Sequence, residues 1–202
     1  MKNSEGRKLV IIGVILVVID QVIKVLVKTN MGLGEHFDVI GNWFKILFVE
    51  NEGMAFGWAF GGKVGKLLLS VFRICLFTAL VLWIRSMCRK NASARAAGEA
   101  APIPAGVLVG LTLITAGAFG NIIDCLFYGI IWDYAPFLFG KVVDMFYFPL
   151  WTWPEWMPFV GGSEFVFFSP VFNFADASIS VGVVALLLFY RDEISKISLK
   201  RE

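Results

Sequence analysis

The chain reads as an α-helical membrane protein with four transmembrane helices, a small sheet on its outer surface and an aromatic-rich outer connection, folded as a single membrane-embedded domain over residues 1–202. Three observations predict this. Hydrophobic residues make up 58% of the chain and charged ones 17%, with a mean hydropathy of +0.76, whereas a soluble domain is about half apolar and about a quarter charged. Four apolar stretches approach the length of about 20 residues that a spanning helix needs, at about 9–27, 67–87, 103–128 and 174–190. Basic residues gather at alternate junctions: Lys2, Arg7 and Lys8 before the first stretch, Arg85, Arg89, Lys90 and Arg95 after the second, and Arg191, Lys196, Lys200 and Arg201 after the fourth. By the positive-inside rule both termini and the 88–101 loop face the cytoplasm.

The first stretch begins like a signal peptide, but Asp20, Gln21 and Lys24 interrupt it and no small-residue cleavage site follows. It is expected to be a permanent helix. The outer segment 28–66 contains Phe37-Asp-Val-Ile-Gly and Trp43-Phe-Lys-Ile-Leu-Phe-Val-Glu, β-branched and aromatic runs bounded by Gly and Asn; these predict short strands. The 88–101 loop, small, polar and rich in Ala, is expected to be mobile. The outer segment 129–173 carries Tyr147, Phe148, Trp151, Trp153, Trp156 and Phe159 among Pro149, Pro154 and Pro158. Such prolines forbid a long helix, and Trp and Tyr favour the headgroup level. An interfacial anchor is one reading and a lid that helps bring a lipidated substrate to the site another. Cys75, Cys88 and Cys125 lack metal-type spacing and read as packing residues. A net charge of +2 gives no reason to expect nucleic acid as a partner.

The candidate chemistry lies in four aspartates in or beside apolar segments: Asp20, Asp124, Asp144 and Asp176. A charged side chain at mid-bilayer costs roughly 2.5–3.5 kcal/mol on insertion scales, so such residues must be used or neutralised. Two close the same spelling, Asn121-Ile122-Ile123-Asp124 and Asn173-Phe174-Ala175-Asp176, which on a helix sets amide and carboxylate on one face. The single histidine, His36, is remote from any nucleophile, so Ser-His or Cys-His catalysis and a His-based metal site are poorly supported; neither a metal nor another cofactor is expected. Two facing aspartates, by contrast, share a proton, one acting as base on a water and the other polarising a carbonyl. For Asp20 a structural pairing with Lys24 at i, i+4 is favoured. Lys24, Lys66, Arg73 and Lys141 look too scattered to neutralise all four carboxylates. A small proton-coupled carrier and a non-catalytic scaffold are the competing classes.

The ordered strings Asp20-Gln21-x-x-Lys24, Asn51-x-Gly53-x-Ala55-Phe56, Gly117-Ala118-x-Gly120-Asn121-x-Ile123-Asp124, Val142-Val143-Asp144 and Phe172-Asn173-x-Ala175-Asp176-Ala177 together resemble the bacterial lipoprotein signal peptidases, or signal peptidase II. The resemblance implies an aspartyl endopeptidase of the bacterial inner membrane, multi-pass, with its active site near the outer leaflet. It would remove the signal peptide of diacylglyceryl-modified prolipoproteins just before the lipidated cysteine. It implies an extracytoplasmic β-cradle, contact with membrane lipids and inhibition by cyclic peptide antibiotics of the globomycin type. By motif, Asp144 and Asp176 would be catalytic, Asn51, Gly53, Asn121, Asp124, Asn173 and Ala175 supporting groups at the site, and Asp20 and Lys24 structural. Where the family usually has Arg after the Gly-Asn-x-x-Asp aspartate this chain has Cys125, leaving Arg73 as a candidate partner for Asp124. Met145 replaces the family's usual Phe, and the segment between Asp144 and Asp176 is longer than is usual. Asp176, in the first turn of the fourth helix, meets the positive end of a helix dipole; it is the expected charged partner and Asp144 the protonated one.

Overall fold

A computed structural model describes residues 4–52, 62–152, 166–167 and 170–199. Gly53, Ala55, Phe56 and most of the Trp-Pro cluster, including Trp153, Pro154, Trp156, Pro158 and Phe159, lie outside the described residues. Helix α1 spans Ser4–Asn30, α2 Gly62–Ala96 and α3 Ala105–Ile123. A single π-helical turn, Asp124–Tyr128, prolongs α3 into a last turn α4, Gly129–Ile131. After the strands come α5, Phe174–Phe189, and the short α6, Arg191–Leu199. Three helical stretches, Ser4–Asn30, Lys63–Ala96 and Ala105–Ile131, are long and apolar enough to cross a membrane. The fourth expected span, α5, has 16 residues, about 24 Å of helix at 1.5 Å per residue.

Helix α3 is the central post, packed by α1, α2 and α5, with Val107 and Leu108 fully buried. Small residues bring its backbone against α5: a Cβ on Gly182 would fall 2.7 Å from the Gly110 carbonyl oxygen, so only glycine permits that approach. Gly117 faces Ala175 and Ile179 of α5, and Gly120 faces the Asp20 carboxylate of α1. The Gly117–Gly120 stretch is therefore a helix-packing device.

Strands β1 (His36–Ile40), β2 (Phe44–Asn51) and β3 (Val142–Tyr147) form an antiparallel sheet in that order. The strands expected at 37–50 are present; β3 was not foreseen. Its Val-Val-Asp-Met-Phe-Tyr run has Val143 and Met145 at 0% exposure, and a strand buried on both faces lacks the alternation that announces one. The register sets Val49 opposite Asp144 and Asn51 opposite Val142. Val143 and Met145 pack with Phe48, Val27 of α1 and Tyr128 of the π turn, seating the sheet on one end of the bundle. Phe148 stacks between Phe44 and Phe172 with centroids at 4.7 and 5.7 Å. Beyond the sheet, Trp151–Thr152 (β4) pairs with Val166–Phe167 (β5).

The 88–101 segment departs from the expected mobile loop. Helix α2 continues through it to Ala96, as its Ala and Arg content favours, and turns at Gly98 with φ +79°. Asn91, fully buried, exchanges hydrogen bonds with the backbone of Ile103 at 2.9 and 3.0 Å and donates to Glu5, pinning the connection.

Candidate active site

Asn173 organises the site. It is the N-cap of α5: its Oδ1 accepts from the Asp176 amide at 2.9 Å, and its own amide donates to Asp176 Oδ2 at 3.4 Å, closing a capping box. With the carbonyl oxygen committed, its Nδ2 faces outward and donates to Asp144 Oδ1 at 2.7 Å and to Asn121 Oδ1 at 3.1 Å. Asn51, from the end of β2, donates to Asp144 Oδ2 at 3.1 Å. Asn121, from α3, donates to Asp176 Oδ1 at 2.8 Å. Two carboxylates from different elements are thus held by three amides, with Asn173 common to both. Among the described residues no basic side chain pairs with either.

The repeated Asn-x-x-Asp spelling does not work as two helix-face pairs. The second string is a cap, and the amide of the first, Asn121, reaches the carboxylate of the second. Asp144 is 2% exposed and Asp176 half-buried. Burial, then the charge of Asp176, pushes the Asp144 carboxyl up to about 7, against the bonds from Asn51 and Asn173 that favour its ionised form. Asp144 therefore keeps its proton below about pH 7.

Beneath this layer lies a fully buried ion cluster. Lys24 Nζ contacts Asp124 Oδ2 at 2.7 Å, Asp20 Oδ2 at 2.9 Å and Asn121 Oδ1 at 2.9 Å, which uses all three ammonium protons. One lysine serves two aspartates, so the expectation that the basic residues were too scattered to neutralise them holds only for Asp144 and Asp176. The i, i+4 pair with Asp20 forms, and the cation at Asp124 is Lys24; Arg73 donates to the Cys125 thiol at 3.1 Å. Gln21 adds bonds to Asp124 at 2.9 Å and to the Gly120 carbonyl at 3.1 Å, and accepts from the Tyr128 hydroxyl. Gln21 and Tyr128 received no role from the sequence, although Gln21 adjoins Asp20.

The carboxylates of the cluster tie elements together. Asp20 Oδ1 accepts from the Ala175 amide at 2.9 Å, holding the first turn of α5 on α1. Asp124 Oδ2 accepts from the Val143 amide at 3.4 Å, holding β3 on α3. Ala175 accordingly contributes its backbone and a small side chain, 1% exposed, beside Gly120. The π turn leaves carbonyls without helical partners, and loop amides satisfy them: Gly140 donates to Cys125 O at 2.9 Å. Gly140 lies so close to the Asp124 carbonyl that no side chain fits.

The profile of signal peptidase (SPase) II matches residues 12–191. The chain belongs to the signal peptidase II family. It is 43% identical to a lipoprotein signal peptidase of Porphyromonas gingivalis over 95% of this chain and 86% of that one. A lipoprotein signal peptidase of Amoebophilus asiaticus is 37% identical over 92% of this chain and 78% of its own. Two solved structures described as bacterial membrane enzymes, obtained by the in meso method, superpose with a TM-score of 0.59 at 25% identity; they cover 96% of this chain, which covers 92% and 94% of theirs. The matched stretch takes in Asp20 through Asp176, so both the ion cluster and the carboxylate layer lie inside it.

Proposed function

We propose that this chain is the aspartyl endopeptidase that removes the signal peptide from prolipoproteins, cleaving before the diacylglyceryl-modified cysteine. Family membership supports peptide hydrolysis and prolipoproteins as substrates; the carrier reading has no comparable support. The observation that carries the aspartyl chemistry is Asn173, whose side-chain amide donates to Asp144 and whose backbone amide donates to Asp176, with no basic side chain paired to either carboxylate among the described residues.

In this reading Asp176, ionised at the helix N-terminus and bonded by Asn121, takes a proton from a water as the water oxygen attacks the scissile carbonyl carbon. Asp144, which retains its proton up to about pH 7, donates it to the carbonyl oxygen. The tetrahedral diol then collapses: the C–N bond breaks, the proton held by Asp176 passes to the leaving nitrogen, and Asp144 recovers a proton from a diol hydroxyl. The pair returns to one shared proton. Asn51, Asn121, Asn173 and Asp124 position the pair, the family motif assigns Gly53 a supporting role, and Asp20 and Lys24 act structurally.

We further propose four membrane spans within one domain, with α5 as the fourth, both termini cytoplasmic and the carboxylates near the outer leaflet, where the lipidated cysteine of a substrate is anchored. Support comes from the three long apolar helices and from the basic residues at one end of the bundle. Inhibition by globomycin-type cyclic peptides follows from the same reading. The deciding experiment is cleavage of a lipidated prolipoprotein by wild type, Asp144→Asn and Asp176→Asn in detergent. Each substitution is expected to remove at least 99% of the rate, since positioned acid–base groups contribute about 10²–10⁴-fold. Retention of more than about a tenth of the rate in either would sink the assignment.

A further inference from the structure

We infer that this chain carries a binding site for an anionic phospholipid, remote from the carboxylates, in the cleft between α1, α2 and α3. A cavity of about 820 Å³ opens there, walled by Val10 and Val14 of α1, Val81 and Ile84 of α2 and Ala116 of α3. Toward the carboxylate end it is closed by Phe77 and Phe119, stacked with ring centroids 4.9 Å apart. At the other end its lining includes Arg85 and Arg89, one helical turn apart and exposed. Among the described residues neither has an acidic partner, while Glu5 at the same end is already engaged by Arg95 at 2.9 Å and by Asn91.

Depth and charge together select the occupant. On α1 the lining runs from Gly6 to Val18, about 18 Å of helix. That is closer to one leaflet than to the full hydrocarbon core of about 30 Å, so the cleft suits acyl chains and not a spanning peptide helix. A signal peptide would also bring a cationic start to two guanidinium groups that have no acidic partner among the described residues. A phosphate headgroup brings the opposite charge, and Arg pairs with phosphate through two parallel N–H donors. Basic residues at a membrane surface favour anionic lipid in the same way.

The test is lipid retention by the purified full chain, read by native mass spectrometry, with phosphatidylglycerol and phosphatidylcholine of matched acyl chains. Wild type is expected to hold phosphatidylglycerol roughly tenfold more tightly, and the Arg85→Gln/Arg89→Gln double variant to lose that preference while cleaving prolipoprotein in lipid-free micelles at the wild-type rate. Gly13→Leu fills the cleft from α1, where a Cβ meets Thr112 at an ordinary 3.7 Å, and is expected to lower retention of both lipids. Equal retention of the two lipids by wild type overturns the proposal, as does a preference that survives the double arginine substitution or retention unchanged in Gly13→Leu. So does photo-crosslinking from position 14 to a bound signal peptide in place of lipid.

Discussion

Lys24 Nζ donates to Asn121 Oδ1 at 2.9 Å, and this bond joins the buried ion cluster to the carboxylate site. An asparagine whose oxygen faces an ammonium must turn its NH₂ the other way, and Asn121 Nδ2 accordingly donates to Asp176. Asn173 repeats the device: its oxygen is taken by the Asp176 amide, so its nitrogen faces Asp144. Asn121 is oriented by Lys24 and Asn173 by the backbone amide of Asp176, neither of them a reacting carboxylate, which presets the pair before substrate arrives.

The pH profile follows from Asp144. Its carboxyl is held near 7 by burial and by Asp176, and the proposed mechanism needs it protonated. kcat/KM is expected to fall above about pH 7, approaching tenfold per pH unit. Asn51 favours the ionised form of Asp144, so Asn51→Leu should move this alkaline limb to higher pH. A limb that stays in place or moves down would remove Asn51 from that role. Stability follows the same sign: between about pH 4 and 7 the folded chain keeps a proton that the unfolded chain releases, so stability falls as pH rises through this window. Asp144→Asn should flatten that slope, measured as melting temperature against pH.

Lys24 is expected to be the most sensitive structural position. Replacement by Met leaves two carboxylates facing each other in the core, and breaking a buried pair costs about 3–5 kcal/mol. Adding Asp124→Asn to Lys24→Met removes one of those charges and should recover part of the loss. Thermal unfolding of the single and double variants in detergent provides the check; no recovery in the double variant would mean that Lys24 acts through packing alone.

Asp20 should separate folding from chemistry. Its Oδ1 anchors the Ala175 amide and its Oδ2 anchors Lys24, and neither oxygen bonds to Asp144 or Asp176 among the described residues. Asp20→Ala is expected to lower the yield of folded protein more than the specific activity of what folds. An abundant, stable and inactive variant would instead place Asp20 in the reacting set.

The positions of the apolar helices were legible because hydropathy marks them: the expected 174–190 differs from α5 by one residue. The Asp20–Lys24 pair was legible because i, i+4 contacts are local. Strand β3 was not, because Val143 and Met145 are buried on a strand whose Asp144 also points to protein, which erases alternation. Nor was the Lys24–Asp124 pair, 100 residues apart in sequence and joined only when α3 packs on α1. The helical reach of α2 to Ala96 was hidden by polar composition: Asn91 reads as loop until its bonds to Ile103 are seen.

Asn173 supplies the sharpest test, because capping and bridging can be separated. Asn173→Ala removes both, and is expected to cost about 1 kcal/mol of stability, the usual loss at an N-cap, together with at least a hundredfold in kcat. Asn173→Ser keeps an oxygen that can accept from the Asp176 amide but has no nitrogen to reach Asp144. It should therefore recover most of the stability and little of the activity. If serine restored both, the 2.7 Å bond to Asp144 would be incidental and Asn173 a cap alone. If it restored neither, the cap would depend on the amide as a whole. Recovered melting temperature with kcat still depressed is the outcome that ties Asn173 to the pair.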